Sequence, residues 1–327
     1  MSTIFKLIIR RLLAMIPLLV AVAFGSFLLA RIAPGDFLSE LGDTPQLSAE
    51  TVAALRRRYG LDQPWYSQFF LWLANLVRGD FGYSLACHCP VSGLMAERVL
   101  NTATLAIAGL AIALAVALPL GVLVPGIRSR LLDRTLGIAT SLNLALPSFL
   151  LALLAVVLAA KTGWFPIGGV QSLDSEGFST AQTVADFLHH LILPATVLAL
   201  RQMPAYLRQT QAAMADSLSQ DYIVTARAKG ISEPRVLVHH ALRNALNPVI
   251  TMLGNSIGSL LSGAFIVETI MSWPGLGSLA VSSLLSRDLN VLLACLLFSA
   301  LLLAAGNLSA DLLLAVADPR IKRSDAI

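Results

Sequence analysis

Few residues in this chain have a type and spacing that could do chemistry, and the first to weigh is Cys87-His88-Cys89. Two thiolates and an imidazole suit a soft metal, with His189 and His190 as candidate further ligands. A Cys-x-Cys pair with one His lacks the spacing of structural zinc sites, so the cluster reads as incidental and no metal site is assigned. Three cysteines do not make a disulfide framework either. The second candidate is Gly121-Val-Leu-Val-Pro-Gly-Ile-Arg-Ser129. A phosphate-binding loop ends in Gly-Lys-Ser/Thr; here no Lys follows the second Gly, and Pro125 sits inside the run. The chain is expected to hydrolyse no nucleotide and to bind no cofactor of its own. The histidines His88, His189, His190, His239 and His240 lie outside the long apolar interiors. With no Ser or Cys nucleophile paired to a base, the chain is not expected to be an enzyme.

What remains is charge and small size in apolar surroundings. Glu268 and Asp311 are ionisable groups in apolar runs, and such groups are candidates for function. Asp311 fits a hydrogen bond between helices; Glu268 fits either a structural or a gating role. Neither has neighbours that would form a proton relay. Gly254, Gly258 and Ser262 recur four apart, with Ser259 and Gly263 beside them, and Asn255 and Ser256 make this segment partly polar. Small residues at that spacing let helix backbones approach closely. Packing within the chain would use them, and so would a translocation wall or a subunit interface. Gly254, Asn255, Gly258, Ser262 and Glu268 are the candidate residues of such a path.

The most distinctive stretch runs from Asp221 to Pro248, a polar, basic island between apolar runs. Residues 216–229 are helix-compatible, with apolar positions at Ile223, Val224, Ala226 and Ala228. Gly230 suits a helix C-cap, preceded by the basic residues that a helix dipole favours there. Ser232 can cap a second helix, with Pro234 in its first turn, where proline is tolerated. The expectation is helix, sharp glycine turn, helix. It is shaped either as a knob for a soluble partner or as a basic helix on anionic lipid.

The elements that position these groups follow from composition. Hydrophobic residues make up 56% of the chain and charged residues 13%, against roughly 25% charged in soluble proteins, and mean hydropathy is +0.75. This is an integral membrane protein, and a net charge of +4 fits basic cytoplasmic loops rather than nucleic-acid binding. Spans of about 20 apolar residues are expected near 9–30, 102–125, 136–160, 190–207, 249–271 and 290–316, the fourth interrupted by Pro194, Arg201 and Pro204. The first run is longer than a signal sequence and lacks its cleavage site, so it reads as a retained span. Basic residues collect at Lys6, Arg10 and Arg11; at Arg128, Arg130 and Arg134; along the island; and at Arg320, Lys322 and Arg323. The bias places both termini in the cytoplasm. The chain then divides into an N-terminal tail and first span (1–30), an extracytoplasmic segment (31–101) and a core transmembrane region (102–327) whose inner loop is about 208–247. The outer segment is long enough for two or three short helices on the membrane surface, from an amphipathic stretch at 47–59 and an aromatic one from Trp65 to Trp72.

At the island the sequence resembles a family. Thr-Ala-Arg-Ala-Lys-Gly230, followed by His-Ala-Leu-Arg-Asn-Ala-Leu-Asn-Pro248-Val-Ile, is similar to the first permease of the dipeptide/oligopeptide/nickel group of ATP-binding-cassette importers. The general signature of such permeases, Glu-Ala-Ala-x-x-x-Gly, appears here as Val224-Thr225-Ala226-x-x-x-Gly230, keeping the Gly and one Ala but not the Glu. Ala33-Pro34-Gly35-Asp36, Tyr59-Gly60-Leu61-Asp62-Gln63-Pro64, Gly79-Asp80-Phe81-Gly82 and Trp273-Pro274-Gly275-Leu276-Gly277 extend the resemblance over the whole chain. It implies an all-α polytopic bundle of about six spans, the type I (MetI-like) permease fold, in a bacterial inner membrane. It implies a peptide importer with a second homologous permease, two ATPase subunits that use ATP and magnesium, and an extracytoplasmic solute-binding protein. The island becomes the coupling element, with Thr225, Ala226, Arg227, Ala228, Lys229 and Gly230 at the ATPase contact. The alternatives are an importer of another small solute, such as a nickel or metal chelate, and an autonomous secondary transporter or channel.

Overall fold

The computed structural model describes residues 3–32, 62–84, 86–127 and 129–317. Arg128, the C-terminal basic cluster, the stretch 47–59 and the motifs at 33–36 and 59–61 lie outside the described residues. Among the described residues the chain is helical apart from one short hairpin. In order it runs α1 (Thr3–Ile32), α2 (Trp65–Val77), β1 (Tyr83–Ser84), β2 (Cys89–Pro90), α3 (Val91–Ile127), α4 (Arg130–Ala145), α5 (Ser148–Thr162) and α6 (Thr180–Leu218). It continues with α7 (Asp221–Ala228), α8 (Glu233–Arg235), a π-helical turn (Val236–Ala241), α9 (Leu242–Ile270), α10 (Leu276–Leu285) and α11 (Leu289–Ala317).

Four described helices, α1, α3, α6 and α11, are long and apolar enough to cross a membrane. The count rises to six if each of two bent pairs is one span, in line with the expected number. The third span is not the continuous helix expected over 136–160. α4 and α5 meet at 100°, because Pro147 drives the residue before it out of helical geometry and Leu146 is extended at φ −84°, ψ 126°. Pro194 and Pro204, the prolines that appeared to interrupt the fourth span, lie inside one unbroken helix of 39 residues.

The reason is visible at Pro204. A proline lacks the N–H that would bond the carbonyl four residues back, which here is Leu200. The Asn143 side-chain amide of α4 donates to that carbonyl, so α4 is tied to α6 through the defect itself. Arg208 on α6 adds bonds from Nη2 to the hydroxyls of Ser141 (3.2 Å) and Thr140 (3.5 Å).

The contacts separate into two compact units. The larger is built chiefly from 103–273 with the end of α11. Its centre is α6, on which α3 lies through small residues four apart: Gly109, Ala113, Ala117 and Gly121. A Cβ at Gly109 would stand 2.8 Å from Leu198 Cβ, and one at Gly121 2.6 Å from Thr210 Cβ, so backbone approach there needs glycine. Residues 121–127 of the near-miss phosphate motif are thus helical, and Gly121 makes a packing contact. α9 also meets α6 at Leu198, 3.2 Å from a Cβ added at Gly263, and through a Gln202–Ser259 hydrogen bond of 2.7 Å.

The smaller unit comprises the described parts of 10–102 together with 274–302. Its core is Val91, Met95, Leu276, Ala280, Val291, Ala294 and Cys295. The hairpin β1–β2 is fastened by buried Asp288, which accepts from the Ser84 hydroxyl at 2.6 Å and the Ala86 amide at 3.1 Å. At its tip Cys87 and Cys89 form a disulfide, a correction to the expectation of incidental cysteines. A two-residue separation in an open loop does not predict a bond; the hairpin brings the two sulfurs together across His88, whose φ is +53°. Neither sulfur is then a thiolate ligand. Among the described residues no group of three or more His, Cys, Asp and Glu side chains is placed to hold a metal.

Replacing Asn143 by Ala should leave the Leu200 carbonyl without its donor and cost about 1–3 kcal/mol. In a Pro204→Ala background, where the helix regains its own N–H, the same change should cost much less. Denaturant unfolding of the four variants in detergent gives the coupling; equal costs in both backgrounds would contradict this account.

Candidate functional site

The island lies wholly within the larger unit. α6 ends at Leu218, two residues reverse the chain, and α7 follows, so the expected single helix over 216–229 is two. α7 closes as anticipated at Gly230, with φ +74°, a region open to glycine at little cost. The Ile231 amide bonds the Ala226 carbonyl at 3.3 Å and the Gly230 amide bonds that of Arg227 at 2.9 Å. These two bonds are the Schellman pattern. Ser232 begins the next helix through its backbone carbonyl, which accepts from Arg235 and Val236, and Pro234 sits in the first turn. That second helix is not separate: α8 passes through the π-helical turn into α9.

Three sets of contacts make this a stiff corner. Ile223 and Ala226 are buried against Met214 of α6, Val122 of α3, and Val236, Ala241 and Ala245 leading into α9. A chain of hydrogen bonds runs from Asn244 Nδ2 to Tyr222 Oη (3.0 Å), to Ser217 Oγ (2.6 Å), to the Ala241 carbonyl (3.1 Å). Arg227 and Glu233 pair in a fork across the glycine turn, Nε to Oε1 at 2.7 Å and Nη2 to Oε2 at 3.3 Å. The Glu233 bond pushes the Arg227 pKa above its ordinary value. An exposed pair of this kind stabilises by under about 1 kcal/mol; its geometry matters more than its energy.

The island residues therefore divide. Thr225, Ala228, Lys229 and Gly230 face outward, with the Thr225 hydroxyl bonded to the Asp221 carbonyl at 3.0 Å. Ala226 is 4% exposed, so it supports the surface from beneath and its side chain is not on the expected contact face. Arg227 is half-buried and engaged with Glu233. Val224, absent from the expected contact set, is 61% exposed. Its spacing from Ala228, against the buried pair Ile223 and Ala226, is the signal that would have placed it there.

The candidate path residues are brought together only in part. Gly254 and Asn255 lie on α9, and their side chains are outside the described residues. Gly258 faces Leu303 of α11, with an added Cβ at 3.4 Å, while Ser262 is exposed and bonds back to the Gly258 carbonyl. Glu268 is fully buried, on a different face of the helix from Ser262. At the far end of α6, His189 bonds the Trp164 carbonyl and His190 the Asp186 carbonyl, which accounts for both rings locally.

Nothing on this surface is reactive; what it offers is shape and rigidity. Residues 117–323 match the binding-protein-dependent transport system inner membrane component family, and residues 4–115 match the N-terminal region of such membrane components. An oligopeptide transport system permease of Bacillus subtilis is 43% identical over 96% of this chain and 98% of its own length. A putative peptide transport system permease of Brucella abortus is 41% identical over 97% and 98%. A glutathione transport system permease of Escherichia coli is 37% identical over 96% and 98%.

Ile223→Ala should loosen the island alone, since it removes a fully buried side chain from that corner and such losses cost about 2–5 kcal/mol. Amides of 221–231 should exchange with deuterium at least about tenfold faster while those of α3 keep their protection. Uniform acceleration along the chain would show that the corner is not a distinct unit.

Proposed function

The chain belongs to the inner-membrane components of binding-protein-dependent transport systems, and on that premise we propose that it carries peptides and that its island receives the force of ATP hydrolysis. It is a multi-pass permease subunit of such an importer and not the ATPase. The peptide cargo is supported by relatives named as oligopeptide and peptide permeases across nearly their full length. In this reading both termini are cytoplasmic, a second homologous permease completes the path, and two ATPase subunits that use ATP and magnesium act from below. A solute-binding protein delivers the peptide to the outer segment.

The observation that carries the coupling role is the contrast across α7. Val224, Thr225, Ala228 and Lys229 stand out from a helix whose other side is locked to α6, α3 and α9. A partner that grips this face moves the corner as one body. Because the island is continuous with the first part of α9, up to the 54° bend between Leu253 and Ser256, and α9 packs along α6, displacement at α7 passes to α6 and to that part of α9. A flexible loop would absorb the same push.

A complex purified through this chain should bring down an ATPase; an autonomous transporter would not. Gly230→Pro should lower peptide uptake roughly tenfold or more, because proline fixes φ near −65° and removes the amide that bonds Arg227. ATP hydrolysis should persist without stimulation by loaded binding protein. Gly230→Asn should retain most uptake, since Asn tolerates the left-handed region and nothing lies within 4 Å of an added Cβ. Normal uptake and stimulation in the Gly230→Pro complex would sink the coupling role.

A separate test concerns the outer segment, which is too long for a simple connector. A deletion within 40–90 should abolish docking of the binding protein, read by co-sedimentation with proteoliposomes; unchanged docking would remove that assignment.

A further inference from the structure

The helix α2 has no place in the coupling account, and its thirteen residues, Trp-Tyr-Ser-Gln-Phe-Phe-Leu-Trp-Leu-Ala-Asn-Leu-Val, include no charged side chain. At 1.5 Å per residue it is about 20 Å long, too short to cross a hydrocarbon core of about 30 Å. One face packs on α1: Phe69 is buried, with its ring centroid 5.4 Å from both Phe24 and Phe27, and Trp65 lies 6.4 Å from Phe24. The apolar stretch of α1 that can cross a membrane is Ile8–Leu28. Phe24 and Phe27 are in its last turn, so α2 is held level with the end of that stretch and not above it.

A second face remains open. Tyr66, Phe70 and Val77, spaced four and seven apart, fall on one stripe and are 53%, 65% and 83% exposed. A third face carries Gln68 and Asn75. The charged neighbours Asp62, Arg78 and Asp80 stand only beyond the two ends. We propose that α2 is an interfacial lipid anchor, lying in the boundary between headgroups and acyl chains of the leaflet away from the N-terminus. The Tyr66–Phe70–Val77 stripe is buried in lipid and Gln68 and Asn75 face water. Lipid is the occupant because the open stripe sits beside a surface already committed to lipid: Ile16, Val20, Phe24 and Leu28 of the span are themselves exposed. Tyrosine and tryptophan favour this depth, and apolar burial along a helix lying flat in the interface supplies the binding. The inference rests only on the chain crossing the membrane, not on the cargo or on the coupling role.

The test uses the full importer complex in vesicles of phosphatidylethanolamine and phosphatidylglycerol, with a nitroxide at Phe70→Cys, Val77→Cys or Asn75→Cys. This chain's own thiols do not interfere, because Cys87 and Cys89 are joined and Cys295 is buried; the other subunits are used in cysteine-free form. Labels at 70 and 77 should collide with oxygen and be shielded from a water-soluble nickel chelate, giving an oxygen-to-nickel collision ratio several-fold higher than at 75. Access of nickel to 70 and 77 would place the stripe in water. Shielding from both reagents would place it under a protein, and either result overturns the proposal.

Discussion

Inside a bilayer no water reaches a backbone carbonyl, so every carbonyl that a proline frees has to find its donor within the protein. Pro204 creates such a carbonyl at Leu200, in the middle of the longest helix, and Asn143 answers it from α4. That bond ties α4 to an α6 that runs unbroken for 39 residues. The break at Pro147 is the other half of the arrangement. It turns the chain through 100°, so that α4 and α5 can both pack on α6 while running in different directions.

An unbroken α6 gives the larger unit a common surface. The Gly109–Gly121 ladder of α3 and Gly263 of α9 use it at glycine distances, and close approach of this kind substitutes in lipid for a hydrophobic driving force. The island hangs from the end of the same helix and re-enters through α9. Its stiffness is therefore an extension of the bundle's packing: Met214 of α6 and Ala245 of α9 share one core with Ile223. The two polar fasteners, the Asn244–Tyr222–Ser217 chain and the Arg227–Glu233 fork, close the corner at its ends.

Much of this could be read from residue order. Apolar length located the spans, and Gly230, Ser232 and Pro234 marked the turn because each reports a backbone conformation that few residues accept. What stayed hidden depended on partners distant in sequence. Hydropathy is blind to direction, so 136–160 looked like one span although Pro147 bends it. Pro204 looked disruptive because Asn143, which meets the carbonyl it frees, lies some sixty positions away. The small-residue pattern drew attention to α9, while the tighter ladder on α3 passed as ordinary alanine-rich helix. The Cys87–Cys89 bond needed the hairpin that Asp288 holds, and Asp288 is some two hundred positions further on. The sides taken by Ala226 and Val224 were hidden for a related reason: in a short polar helix, composition does not say which side meets the bundle.

That last pair also explains the departure from the Glu-Ala-Ala-x-x-x-Gly signature. The residues this chain keeps are Ala226 and Gly230, one buried under the helix and one in left-handed geometry at its end. Both are dictated by the corner's own architecture: a larger side chain at 226 would lift α7 from Met214, and a β-carbon at 230 would strain the turn. The residues it changes, Val224 and Thr225, are outward-facing, and the Thr225 hydroxyl bonds back to the Asp221 carbonyl of its own helix. At the signature's Glu position stands an apolar side chain 61% exposed to solvent. The outward face of α7 has thus exchanged charge for apolar area without altering the turn beneath it.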